Sequence, residues 1–536
     1  MDKKIYIKDW LALKPYKKQT KTDSYYLKVC NDVKKVITTN QQSVIFQKYL
    51  YPDDINLLSC FLTSYFEDLI SKTNIWNSFV RIHQRLYRKY LPFYNLDEYY
   101  EEEINHQDIS FLIWYFLNTM QEEKFFSPFN DFIVETAKKI MDVLDKAWDF
   151  APVNEYLKTF YQIDEKENEF YIARDLIDTV LFKTYLFFPD TLLDLQEQEM
   201  KIIENSQDEK DIPMSLHESR DRILHNTYTR LLGLKGKEWV SEILGKNHPL
   251  NKDFLTISEK IQGLFLYKGQ DDNNIFIEHI ASSKKFNITK KSFNHSYTLK
   301  ELDTILYIGI VQWQNEWWFS GVFFQNPFNP DIILNEKNSL KSRMVVNFLD
   351  YQKQDTKEFL KKQLSAFKDY NKGSQIAFLP SDKIEEFNKG YIDFFNSTLN
   401  LSETEIREAE QRARNEGFFG TNTNDKHKDF SKISETGLVF FNPNSGCEIA
   451  LAINSAFPMS SNPYFKEEDS EEHVIRLLMN ENLSPELAMY CIDNCKTKLS
   501  FFKKEVGKKY LDDIDFLLRF WKKDNYYSIP FITYTG

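Results

Sequence analysis

The spacing of apolar residues changes near Gly263, and this change constrains the fold more than any other feature of the sequence. From residue 52 to residue 244, apolar side chains recur every three or four positions, as along one stripe of an α-helix. After Gly263 they occur in short runs between closely spaced turn residues, which is typical of β-strands. The sequence therefore predicts a helical first half followed by a small β-rich module.

Prolines and turn residues delimit the individual elements, because proline removes a backbone donor and ends helices. Helices are predicted at 110–120, 132–150, 170–188 and 217–232. Strands are predicted at 263–268, 274–281, 285–290, 304–314 and 316–325. Gln314-Asn315 separates the last two strands as a hairpin turn. Five such strands can close into a small antiparallel barrel, which removes exposed sheet edges.

The remainder of the chain reads as a mixture of helices and strands. Helices are predicted near 339–368, 383–399, 403–414, 471–479, 485–495 and 511–521, and strands at 375–379, 437–442 and 448–453. A polar loop is predicted from 417 to 436. The fold class is thus multidomain α+β, with a helical domain at 1–250, a barrel-like module at 251–330 and an α+β region at 331–536.

Charge does not favour a dedicated nucleic-acid binder, because 68 Lys and Arg against 80 Asp and Glu leave a net charge of −12, although a nucleic-acid partner stays possible. Its distribution is uneven. Residues 1–50 hold 11 basic and 4 acidic side chains (+7), and residues 101–200 hold 8 basic and 22 acidic ones (−14). Intramolecular pairing of the two blocks is favoured over a partner-binding basic arm. The lysines of that arm are Lys3, Lys4, Lys14, Lys17 and Lys18.

Five cysteines in 536 residues make a disulfide framework improbable and indicate a reducing compartment. No run of apolar residues near the N-terminus has the form of a signal peptide, and none along the chain reaches the ~18 to 20 residues of a membrane span. A cytoplasmic location and no membrane partner are expected.

No catalytic, phosphate-binding or metal motif stands out, so no cofactor, metal or catalytic residue is predicted and the sequence leans away from an enzyme. The acidic run from Asp97 to Asp108 contains one Glu-x-x-His, Glu103 to His106. An acidic helix N-terminus explains this run better than a metal site. Cys491 and Cys495 share one helix face, and we interpret them as buried thiols rather than ligands.

Candidate binding residues come from the aromatic hairpin and the preceding strand: Glu278, His279, Trp313, Trp317 and Trp318. Alternating large aromatic residues on a strand most often form a core face. The alternatives are a protein or peptide groove and, beside the lysines at 284, 285, 290 and 291, a stacking surface for nucleic acid. Glu278 and His279 would supply a polar contact to such a groove.

Several strings carry a family resemblance: Lys8-Asp9-Trp10-Leu11, Glu103-Ile104-Asn105 with Asp108, Glu278-His279-Ile280-Ala281, and Glu316-Trp317-Trp318-Phe319-Ser320-Gly321. Together they resemble a bacterial protein family, found mainly in Bacteroidota and known as a domain of unknown function. The resemblance runs through most of the chain. It implies a bacterial intracellular protein and no particular chemistry.

The sequence favours a macromolecular-recognition or scaffold protein that binds a protein partner, without intrinsic catalysis. The alternative is an enzyme or adaptor that acts on nucleic acid in a stress or defence setting. A deep polar cleft in which distant carboxylates and histidines meet would favour the enzyme.

Overall fold

The structure is a computed structural model, and it describes residues 4–527 except 122–123, 207, 209, 294–297, 340–341, 343–352, 400–401, 406, 409–410 and 412–429. Half of the charged helix predicted at 403–414 and most of the loop predicted at 417–436 therefore lie outside the described residues. None of the described helices combines the length and the apolar content needed to cross a bilayer.

Helices dominate the first half of the chain, as the apolar spacing predicts. They are α1 (Ile7–Leu11), α2 (Asp23–Thr39), α3 (Ser43–Tyr49), α4 (Pro52–Ser71), α5 (Ile75–Tyr87), α6 (His106–Met120), α7 (Asp131–Trp148), α8 (Glu155–Thr159), α9 (Phe170–Phe182), α10 (Leu193–Asn205), α11 (Ile212–Asn226), α12 (Gly236–Leu244) and α13 (Asn251–Thr256). The helix predicted at 217–232 ends at Asn226. The helix ends there because Thr227 adopts an extended backbone, with φ −88° and ψ 141°. Thr229 lies in the turn that follows, where its hydroxyl is within hydrogen-bond distance of the carbonyls of Leu231 and Leu234.

The five predicted strands form a closed barrel in the order β1-β2-β3-β5-β4. They are β1 (Ile261–Gln270), β2 (Asn274–His279), β3 (Lys285–Thr289), β4 (Ile305–Trp313) and β5 (Glu316–Asn326). The pairs β1–β2, β2–β3 and β1–β4 are antiparallel. Gln314 and Asn315 both have positive φ values, 46° and 67°, so they form the tight hairpin turn that the sequence predicts.

The C-terminal region combines a small sheet with helices. Its elements are α14 (Pro330–Asn338), α15 (Lys353–Tyr370), β6 (Ile376–Pro380), α16 (Ile384–Thr398), β7 (Thr436–Asn442), β8 (Gly446–Leu451), α17 (Ser470–Met479), α18 (Pro485–Cys495), α19 (Ser500–Lys503), α20 (Glu505–Asp512) and α21 (Ile514–Trp521). The strands pair antiparallel in the order β6-β7-β8. Phe367 of α15, Tyr391 of α16 and Phe441 of β7 share one hydrophobic core. The predicted fold class, a helical half followed by a small barrel and an α+β region, is confirmed.

The chain divides into two compact units. Unit 1 comprises Met1–Lys260 and Val311–Gly321, and unit 2 comprises Ile261–Ile310 and Val322–Gly536. The finer division at residues 250 and 330 stays a prediction.

Lys14 lies in the core of unit 1 rather than on a basic arm. Its ammonium group forms an ion pair with the buried Glu67, donates to Ser64 Oγ at 3.1 Å and lies 3.8 Å from the ring centroid of Trp10. Asn154 donates to the other oxygen of Glu67 at 2.8 Å. Lys14 is therefore committed to an intramolecular ion pair, but its carboxylate lies outside the acidic block at 101–200, and the pairing of the two charged blocks stays a prediction.

We expect Lys14→Gln to lower the free energy of unfolding by about 3 to 5 kcal/mol, because it leaves Glu67 buried without a compensating charge. Lys17→Gln, on an exposed side chain three residues away, should change it by less than about 0.5 kcal/mol. Urea unfolding of both variants measures the difference. Equal effects would show that the Lys14–Glu67 pair contributes nothing specific.

Candidate functional site

The three tryptophans of the hairpin belong to unit 1, and two of them are core residues. Trp313 and Trp318 are 1% and 0% exposed, whereas Trp317 is half-buried. The Trp313 indole donates to the carbonyl of Asn168 at 3.3 Å. Trp318 packs against Phe170 with 6.0 Å between ring centroids. The indole rings of Trp313 and Trp318 thus attach the hairpin to unit 1. The binding role predicted for the three tryptophans stays a prediction.

Glu278 and His279 belong to unit 2, on strand β2. His279 is fully buried, its Nδ1 lies 2.9 Å from the hydroxyl of Ser282, and burial lowers its pKa to about 4, so the ring is neutral at pH 7. A methyl group at Gly263 would come within 3.1 Å of its Nε2. Glu278 is half-buried and pairs with Lys285 in the ladder. The two predicted polar residues therefore point to opposite faces of one strand.

Sequence reasoning missed a buried charged cluster in unit 1. Its members are Arg174, Glu218, Asp221, His225, Lys260 and Ser320. Asp221 lies at the centre: Lys260 Nζ is 2.8 Å from its Oδ2, a guanidinium nitrogen of Arg174 is 2.7 Å from its Oδ1, and Ser320 donates to it at 2.8 Å. Lys260 also pairs with Glu218. Two cations and two carboxylates thus balance each other beneath strand β5.

Ser, His and Asp meet in this cluster without the geometry of nucleophilic catalysis. Ser320 donates directly to Asp221, and its oxygen lies 3.4 Å from His225 Nε2. Burial raises the pKa of Asp221, but the neighbouring groups, Lys260 and Arg174 among them, together outweigh burial and hold the pKa of Asp221 below its usual range. Burial lowers the pKa of His225 to about 3. In a catalytic triad the histidine accepts the serine proton and the aspartate orients the histidine. Here the serine hydroxyl donates its hydrogen bond to the aspartate instead. The arrangement anchors β5.

Gly321 lets the β5 backbone approach the charged cluster. Its φ is +88°, and a Cβ at this position would collide with the charged ends of Glu218 and Lys260. Only glycine adopts this conformation readily and leaves that space free.

The acidic run from Asp97 to Asp108, which extends into the first turn of α6, has a buried and an exposed part. Asp108 is fully buried and accepts hydrogen bonds from the hydroxyls of Tyr65 at 2.7 Å and Tyr99 at 3.0 Å. Glu101 and Glu102 form surface ion pairs. Within the described residues, no three His, Cys, Asp or Glu side chains are grouped so as to hold a metal ion. Cys491 and Cys495 are buried free thiols, as predicted.

A groove between α2 and α7, called here the α2–α7 groove, offers an apolar surface with a basic edge. Its volume is about 500 Å³. The apolar side chains that line it include Val29, Val36, Val143, Ala147 and Phe150, and the charged ones are Lys28, Asp32, Lys35 and Lys146. The Tyr25 hydroxyl donates to the carbonyl of Ala147 at 2.6 Å and holds the two walls together. Phe150 is 77% exposed.

A second groove, called here the arginine groove, lies between α5 and α12 and has a volume of about 650 Å³. Its charged lining consists of Arg81, Arg85, Arg88, Glu242 and Lys246. Glu242 pairs with Arg81 at 3.3 Å and with Arg85 at 2.9 Å.

Residues 4–278 match the family described as "Protein of unknown function (DUF3843)". This match covers more than half of the chain, so the protein belongs to that family, as the resemblance indicated. No curated protein and no solved structure matches the chain. The Bacteroidota origin stays a prediction.

We expect Gly321→Ala to lower the free energy of unfolding by about 2 to 4 kcal/mol, from backbone strain and from the collision with the charged cluster. Gly245→Ala is the matched control in unit 1, because Gly245 has a φ of +84° and a Cβ added there would meet no atom within 4 Å. Chemical denaturation should give a clearly larger loss for Gly321→Ala. Equal losses would show that the charged cluster does not require the close approach of β5.

Asp108 should make stability depend on pH. Burial outweighs the hydrogen bonds from Tyr65 and Tyr99 and raises the pKa of Asp108 to about 7. Because the folded pKa lies above the unfolded one, stability should fall as pH rises from about 4 to about 7, by up to about 1.4 kcal/mol per pH unit. Asp108→Asn, which cannot ionise, should flatten this dependence in urea unfolding across that range. An unchanged slope would contradict the raised pKa.

Proposed function

We propose that this protein is a macromolecular-recognition protein that binds an amphipathic, acidic helix of a protein partner in the α2–α7 groove. The observation that carries the proposal is Phe150, a large aromatic side chain that is 77% exposed at the end of an apolar groove. Large aromatic side chains that fill or flank a pocket are the residues on which protein interfaces most depend.

The shape of the groove supports a helical occupant. Tyr25, Lys28, Val29, Asp32, Lys35 and Val36 line it from α2, at the spacing of one helix face. Val143, Lys146 and Ala147 line it from α7 in the same way. Two helix faces side by side form the kind of groove into which a third helix lays its apolar side.

Charge supports an acidic partner. Lys28, Lys35 and Lys146 are exposed at the groove, and Asp32 is the one carboxylate among its lining residues. Apolar contacts would supply affinity, and lysines at the edge would select acidic side chains and speed association. The net charge of −12 opposes a long nucleic acid at the same place.

The buried chemistry supports binding over catalysis. The carboxylates of Asp221 and Glu218 are neutralised by Lys260 and Arg174, and these ion pairs anchor β5. All five cysteines are free, which is consistent with the proposal that the protein acts in the cytoplasm. An enzyme or adaptor acting on nucleic acid stays the alternative.

Affinity capture from the native lysate tests the proposal with three forms of the full chain. The wild type should retain a stoichiometric protein, and Phe150→Ala combined with Lys28→Gln, Lys35→Gln and Lys146→Gln should reduce its recovery at least about tenfold. A charge-matched control neutralises Lys166, Lys210 and Lys252, which are exposed elsewhere in unit 1. Its recovery should equal that of the wild type.

Nuclease treatment and salt separate the alternative from the proposal. Capture that survives nuclease supports a protein partner. Loss of all capture on nuclease treatment, together with binding to oligonucleotides that falls when Lys284, Lys285, Lys290 and Lys291 become Gln, would support the nucleic-acid adaptor instead. Equal recovery with all three forms would refute the α2–α7 groove as the binding site.

A further inference from the structure

Arginine is scarce in this chain, yet three arginines line one groove. Of the 68 basic residues, 13 are arginine. Arg81 and Arg85 lie at i and i+4 on one face of α5, and Arg88 is the C-cap residue that follows the helix with a left-handed backbone. They line the arginine groove together with Lys246 from the end of α12.

Two of the arginines are held in place before any ligand arrives. Arg81 pairs with Glu101 at 3.2 Å and with Glu242 at 3.3 Å, and it also donates to the backbone carbonyl of Glu242 at 3.3 Å. Arg85 pairs with the other oxygen of Glu242 at 2.9 Å. The Glu242 side chain is only 12% exposed, so it fixes both guanidinium groups from beneath. Groups fixed in this way lose less entropy on binding.

The other two cations, Arg88 and Lys246, are not engaged in the same way. Among the residues that the structure describes, no carboxylate lies within ion-pair distance of either one. The end of α12 does not need Lys246 as a cap, because Asn251 donates to the carbonyls of Ser241 at 2.7 Å and Gly245 at 3.1 Å. Four cations stand against two carboxylates, Glu242 in the lining and Glu101 beside Arg81, which leaves this group of side chains with a charge of +2 in a protein whose total charge is −12.

We propose that the arginine groove binds a phosphoryl group. A guanidinium fork matches the oxygens of phosphate in two parallel hydrogen bonds, and several converging cations favour a dianion over a single carboxylate. The phosphoryl group belongs either to a nucleotide or to a phosphorylated side chain, both of which present the same oxygens to Arg85, Arg88 and Lys246. This site is separate from the α2–α7 groove and does not depend on the function proposed for that groove.

Isothermal titration of the full chain with pyrophosphate at low ionic strength tests the site. Saturable binding is expected, and Arg88→Gln should weaken it about tenfold through the lost charge-assisted hydrogen bonds. Arg88→Lys keeps the charge but loses the fork, and its affinity should lie between the two. Arg222→Gln, an exposed arginine elsewhere in unit 1, is the control and should bind like the wild type. Because Arg88 is exposed and lies outside ion-pair distance of the described carboxylates, unfolding of its variants should match the wild type.

Further ligands identify the source of the phosphoryl group. Tighter binding of ADP than of pyrophosphate would support a nucleotide, and tighter binding of a phosphoserine peptide would support a phosphorylated protein. The proposal is overturned if pyrophosphate shows no saturable binding up to about 10 mM. It is equally overturned if malonate binds as tightly as pyrophosphate, or if Arg222→Gln weakens binding as much as Arg88→Gln.

Discussion

The ion pairs of Asp221 are the interaction on which the architecture of unit 1 most depends. One buried carboxylate binds Lys260, Arg174 and Ser320, and it thereby joins two helices to the segment Val311–Gly321. Removing any one of these partners leaves a charge or a polar group buried without compensation, which costs far more than an exposed ion pair contributes. The same arrangement requires glycine at position 321, because a Cβ there would collide with Glu218 and Lys260.

The Lys14–Glu67 pair shows the same physical pattern near the start of the chain. In both places a buried charge is neutralised by an opposite charge and by hydrogen bonds from neutral side chains, here Ser64 and Asn154. Each of these side chains is engaged by partners inside the fold. Within the described part of the chain, the two grooves on the surface of unit 1 then offer the features suited to recognition. One groove is apolar with a lysine edge, and the other is lined by arginine.

Local patterns predicted the fold well, because apolar spacing and turn residues act over a few positions. The helices before Gly263, the five barrel strands and the turn at Gln314-Asn315 follow from such patterns. The start of α18 also follows from such a pattern: the Ser484 hydroxyl accepts a hydrogen bond from the backbone amide of Leu487 at 3.1 Å. The charged cluster could not be predicted, since Arg174, Asp221 and Ser320 are brought together only by the tertiary fold. The spacing of Arg81, Arg85 and Arg88 was readable in the sequence, but only the position of α12 shows that they share a groove with Lys246.

Photo-crosslinking inside cells tests the central claim most directly, namely that the described structure uses its buried reactive groups for folding and its α2–α7 groove for binding a protein. A benzoylphenylalanine replaces Phe150 in the full chain, and a second form carries it at the exposed Ile203 as a control. The account predicts a discrete protein adduct at position 150 that is absent at position 203 and is lost when Lys28, Lys35 and Lys146 are changed to Gln. The absence of any adduct specific to position 150, or an adduct that nuclease removes, would contradict it.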